Sequence, residues 1–116
     1  MRRALLLLLI GGCQQAVDPC DAMCDAGAAL YGGCLDGWGV EWSSAGYDDE
    51  QDWREACAAW AWELRLLEAD AVAHGQAQGG EDDALCVERE ALWRDDGATC
   101  TDYSQVDWSE VPWSVD

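Results

Sequence analysis

The chain has 116 residues, enough for one domain, and carries 24 acidic residues against six basic ones, for a formal net charge of -18. That balance excludes a nucleic-acid binder, which needs a cationic face, and it excludes docking on anionic lipid by charge. Seven cysteines in so short a chain fit an oxidising compartment rather than the cytosol, and their odd number asks for one with a fate other than a disulfide.

Met1 to Cys13 reads MRRALLLLLIGGC: two arginines, an apolar run from Ala4 to Ile10, two glycines and a cysteine. This is signal-peptide grammar, and the run falls well short of the roughly 20 apolar residues of a membrane span. Ile10-Gly11-Gly12-Cys13 resembles the lipobox of bacterial lipoprotein precursors, although twelve residues before the cysteine is short for such a signal. The resemblance is confined to these 13 residues. It implies transfer of a diacylglyceryl group to the Cys13 sulfur, cleavage after Gly12 and frequent acylation of the new amino group. Small residues suit a peptidase that must hold an extended backbone closely. Residues 1–12 are therefore read as a signal peptide and 13–17 as a tether. Gln14, where the resemblance places an inner-membrane retention Asp, points to the outer membrane. Beyond the lipobox, the chain looks in type like the small cysteine-rich envelope lipoproteins common in GC-rich Gram-negative bacteria.

Residues 18–100 read as a helical, disulfide-rich domain. Asp18-Pro19 is an N-cap followed by a proline at the first helical position. Cys20, Cys24, Ala28 and Tyr31 then share one face, and Gly32-Gly33 is the expected stop. Leu35 to Gln51 is expected as a long loop whose aromatics cap the bundle. Asp48, Asp49, Glu50 and Asp52 lack the spacing and central Gly of a calcium loop and suit a helix N-terminus instead.

The spacing predicts a long helix over Asp52–His74 with two apolar seams. Trp53, Cys57, Trp60, Leu64, Leu67 and Ala71 form one, and Ala59, Trp62, Leu66, Ala69 and Ala73 the other. Two seams imply a central helix sandwiched between neighbours. After the GQAQGG turn, a third helix is expected over Glu81–Asp96, with Leu85, Cys86, Arg89, Leu92 and Trp93 facing inward and Arg89 placed to meet an acid. Residues 101–116 lose periodicity and form an acidic aromatic tail, either disordered or laid as an arm across the helices.

The expectation is therefore an all-α fold: a small three-helix, disulfide-stapled bundle with a long loop and an irregular C-terminal tail. Six cysteines allow 15 pairings. If the helices run down, up and down, the fixed rise of about 1.5 Å per residue matches heights as Cys20–Cys86, Cys24–Cys57 and Cys34–Cys100. Cys34–Cys57 with Cys24–Cys86 ranks second, because it strands Cys20 and Cys100 at opposite ends. Cys20 and Cys24 lack the spacing and strand context of a redox pair, and a lone His74 offers no zinc set or catalytic base. No cofactor or metal is expected.

These residues describe a lipid-anchored, non-enzymatic envelope protein that is a binding or structural module. It meets the membrane through Cys13 and a protein partner through Trp38, Trp42, Trp108 and Trp113. The alternative is a small envelope enzyme using acidic residues, favoured by a focused carboxylate cleft.

Overall fold

The structure is a computed structural model that describes residues 17–113. The signal segment, Cys13, most of the tether and the last three residues lie outside that range. Four α-helices follow in order: α1 Pro19–Trp38, α2 Glu50–Ala73, α3 Glu81–Arg94 and α4 Cys100–Ser104, with a short 3-10 turn at Trp42–Ala45. There is no strand among the described residues.

Asp18 starts α1 as expected, its carboxylate accepting from the backbone N–H of Cys20 at 2.8 Å and of Asp21 at 3.4 Å. The helix does not stop at Gly32-Gly33. It runs to Trp38 and ends at Gly39, whose φ of 71° is the left-handed conformation that favours glycine. Each glycine inside a helix costs about 1 kcal/mol relative to alanine. Burial of Cys34 and Leu35 and the Cys34–Cys100 bridge offset that cost.

The central helix is α1, not α2. It packs most extensively on α3 and next on α2, whereas α2 and α3 touch each other less. Its composition explains this. Met23, Ala26, Gly27 and Ala28 are buried, and the small side chains of the last three let neighbouring helices approach closely. Gly27 faces the rings of Trp53 and Trp93, which fill the space a side chain would take.

Only one seam of α2 is buried: Trp53, Cys57, Ala61, Leu64, Glu68 and Ala71. Ala59, Trp62, Leu66, Ala69 and Ala73 are all exposed, so the sandwich expectation is overturned. Leu67 of the first seam and Leu92 of α3 are also exposed, while Trp60 is half-buried. Spacing placed these residues on faces correctly, but only one face has a neighbour.

Disulfides join Cys20 to Cys86, Cys24 to Cys57 and Cys34 to Cys100. These are the pairs matched by height. The bridges tie α1 to α3, α2 and α4 in turn. Residues 101–113 form the arm rather than a loose tail, with Tyr103, Val106 and Trp108 packed on the core and Trp113 buried against Leu64, Ala71 and Leu85.

Candidate functional site

The aromatic residues converge where the arm crosses α2 and α3. Tyr31 stacks on Tyr103 with ring centres 4.4 Å apart, and Trp42 meets Tyr31 edge-on at 5.4 Å. Trp93 approaches both Tyr103 and Trp108, at 5.5 and 5.9 Å. Trp53 Nε1–H donates to Tyr103 Oη at 3.0 Å, and Trp60 Nε1–H donates to the Trp108 carbonyl at 2.7 Å. Burial pushes the Tyr103 phenol up to about 12, against the smaller lowering effect of the Trp53 hydrogen bond. Tyr31 is raised for the same reason, with Tyr47 nearby adding to it.

Arg89 fixes the arm. It is 5 % exposed, and its guanidinium lies over the rings of Trp60 and Trp108, 5.1 and 5.6 Å from their centres. Its Nη2 donates to the Asp107 carbonyl at 2.9 Å and lies 3.8 Å from Glu110. The expected acidic partner is thus an exposed arm residue, and the stronger contacts are to a backbone oxygen and two indoles. Burial lowers the pKa of Arg89, and Glu110 opposes that shift. Its Nη1 is buried without a hydrogen-bond partner, and the two indole faces are its compensation.

Beside this cluster is a cavity of about 200 Å³ lined by Tyr47, Trp53, Ala56, Cys57, Trp60, Tyr103 and Trp108. Its walls are aromatic, and the one sulfur, on Cys57, is held in a disulfide. A larger cleft, about 460 Å³, has Glu88, Asp102, Asp107 and Glu110 among its lining. Three of these carboxylates have structural partners. Asp102 accepts from Thr99 in a capping box, Asp107 accepts from Ser109, and Glu110 faces Arg89. The Ser109 hydrogen bonds hold Asp107 below the usual carboxylate range, the reverse of what a general acid needs.

Several other acids are organised by helix ends and by arginines. Asp49 accepts from Asp52 N–H and Asp52 from Asp48 N–H, so the run before α2 is a cap. Asp25 and Glu50 pair with Arg54. Asp18, Cys20 and Asp83 bring three metal-type atoms together, yet Cys20 is in a disulfide and Arg65 pairs with Asp18 and reaches Asp83. Arg65 holds the Asp18 carboxyl below its usual range and is itself raised by that contact.

The four tryptophans expected to contact a partner separate. Trp38 is 58 % exposed and free to do so. Trp42 and Trp108 are half-buried in the aromatic cluster, and Trp113 is buried, so these three hold the fold. The exposed tryptophan that the spacing assigned to the interior is Trp62, at 62 %, next to Leu66 at 54 %. An exposed apolar pair on an acidic surface is a binding signal. No helix of the described residues is long and apolar enough to cross a membrane. No family model matches the chain, nor does a curated protein or a solved structure match it significantly.

Proposed function

We propose that the protein is a lipid-anchored lipoprotein of a bacterial envelope, of the small cysteine-rich type, acting as a non-enzymatic binding or structural module. One observation carries the reading. Cys20, Cys24, Cys34, Cys57, Cys86 and Cys100 close on one another, which leaves Cys13 as the single cysteine outside the disulfide set. That residue is the one that follows the apolar run and the two glycines. A free thiol in an oxidising compartment is a liability, and thioether formation with lipid removes it. The disulfides themselves suit a compartment outside the cytosol, and Gln14 favours the outer membrane. Three of the four carboxylates of the acid-lined cleft serve caps and arm contacts, which favours a binding role over catalysis. Of Trp38, Trp42, Trp108 and Trp113, Trp38 is the one left exposed for a protein partner.

The test is intact mass and membrane fractionation of the native protein and of Cys13→Ser. The native protein should fractionate with membranes and carry the mass of a diacylglyceryl group on a chain that begins at Cys13. The variant should lose both the added mass and membrane retention. Unchanged retention and mass in the variant would overturn the reading.

A further inference from the structure

We infer that the exposed face of α2 that carries Trp62 and Leu66 lies against the surface of the phospholipid layer in which Cys13 is anchored. This rests on the lipid reading of Cys13. Arg65 sits beside Leu66 and one turn from Trp62, and it pairs with Asp18, the N-cap of α1. The Cys20–Cys86 bridge, two residues further on, secures the same end of α1 to α3. The start of α1 is therefore fixed next to the middle of α2. Trp62 lies three residues from Arg65, an axial offset of about 4.5 Å.

Tether length then limits where the lipid can be. Cys13 to Asp18 is five residues, and five residues span at most roughly 17 Å when fully extended. The lipid surface must lie within that radius of Asp18, and the Trp62 and Leu66 face falls inside it. Trp38 does not, because the 20 residues of α1 carry it roughly 30 Å from Asp18.

Charge selects the face that turns to lipid. Asp21 and Asp83 are exposed near Asp18, and carboxylates lose hydration at a bilayer surface without a partner there. The centre of the α2 face presents instead an indole, a leucine and the alanines Ala59 and Ala69, and the exposed Glu63 and Asp70 stand at its edge, where their carboxylates stay in water. Tryptophan suits the headgroup boundary, where its ring is sheltered and its N–H stays wet. Val17, the last residue before the cap, is also exposed and uncharged. With a net charge of -18 the protein should do this on zwitterionic rather than anionic lipid.

The test uses the full-length lipidated protein in vesicles of zwitterionic phosphatidylcholine, with and without bromine on the acyl chains near the headgroup. Bromine quenches an indole only on close approach. Brominated vesicles should dim the tryptophan emission, and Trp62→Phe should reduce that bromine-dependent loss by about threefold or more, since Trp62 is the indole assigned to the boundary. Trp38→Phe should leave it unchanged. Quenching that survives Trp62→Phe, or that Trp38→Phe removes, overturns the inference. So does a Trp62 signal that is insensitive to bromine but changes with protein concentration, which would assign the face to a second copy. Intact mass distinguishes the two levels. A protein without added lipid removes the anchoring reading and this inference with it. A lipidated, vesicle-bound protein whose Trp62 ignores bromine removes the orientation alone.

Discussion

Gly27 shows how a single missing side chain sets the geometry of this domain. A Cβ at this position would lie 2.7 Å from Trp53 Cη2 and 2.9 Å from Trp93 Cζ3, closer than real contacts allow. Overpacking of this kind costs about 1–3 kcal/mol, and both rings are themselves locked by neighbours, so the gain of about 1 kcal/mol in helix propensity does not rescue it. Gly27→Ala should therefore lower stability in urea denaturation. Gly33→Ala, on the same helix with nothing within 4 Å, should raise it by up to about 1 kcal/mol. Equal effects would mean that the two indoles are free to move aside. Tyr103 makes a second case. Its folded value of about 12 lies above the ordinary phenol value of about 10, so the folded state holds the proton more tightly than the unfolded chain. That stability is complete below pH 10 and is lost as pH rises through the interval between the two values. Denaturation midpoints should fall over that range alongside the phenolate absorbance, and Tyr103→Phe should flatten the fall.

Between elements, the information in the sequence was uneven. Helix positions, the Asp18 cap and the inward Leu85, Cys86, Arg89 and Trp93 of α3 follow from spacing, because backbone periodicity needs no knowledge of neighbours. The second seam of α2 misled for a physical reason. Four of its five members are or border alanine, and alanine favours a helix without indicating which side is wet. The end of α1 misled because a buried disulfide beyond two glycines outweighs their propensity. The start of α3 at Glu81 followed from the GQAQGG turn before it, but what caps that start could not be read locally. Its cap position is Gly80, which has no side chain to offer. Glu68 of α2, only 9 % exposed, accepts from the backbone N–H groups of Gly80 at 2.9 Å and Asp82 at 2.6 Å instead. This also explains how an acid comes to occupy the buried seam. Trp60 and Trp62 test the revised packing, since they are neighbours in sequence on opposite sides of the helix. Trp60 supports Arg89 and bonds the Trp108 carbonyl, so Trp60→Ala should cost about 3 kcal/mol. Trp62→Ala should change the denaturation midpoint little, within about 0.5 kcal/mol. A large loss for Trp62 would restore the sandwiched helix.

At the scale of the whole molecule, three bridges divide the work of holding a small core. Their pairing was legible because helix rise converts sequence number into height, and height errors of a turn do not reach the opposite end. The arm was legible only as a choice between order and disorder, since its partners are scattered over α1, α2 and α3. Its attachment to the rest depends on one covalent link. Cys34–Cys100 spans 66 residues, and loss of such a link relaxes the unfolded chain by about 4 kcal/mol in the chain-entropy account. The consequence should be confined to α4 and the arm. The α4 helix has five residues, far too few to persist alone. Without Cys100 it and the arm are held by Arg89 and by aromatic contact. The double variant Cys34→Ala/Cys100→Ala should keep most far-ultraviolet circular dichroism, because α1, α2 and α3 retain their two other bridges. Its tryptophan emission should shift to the red as Trp60 and Trp108 become wet, and the alkaline titration of Tyr103 should move back toward about 10. Cys20→Ala/Cys86→Ala removes a bridge whose two sulfurs sit at the deepest point of the core, and it should lose helix and aromatic packing together. If instead both variants lose helix content in one transition, the arm and the three helices form a single cooperative unit, and the aromatic cluster is as much a part of the core as Met23.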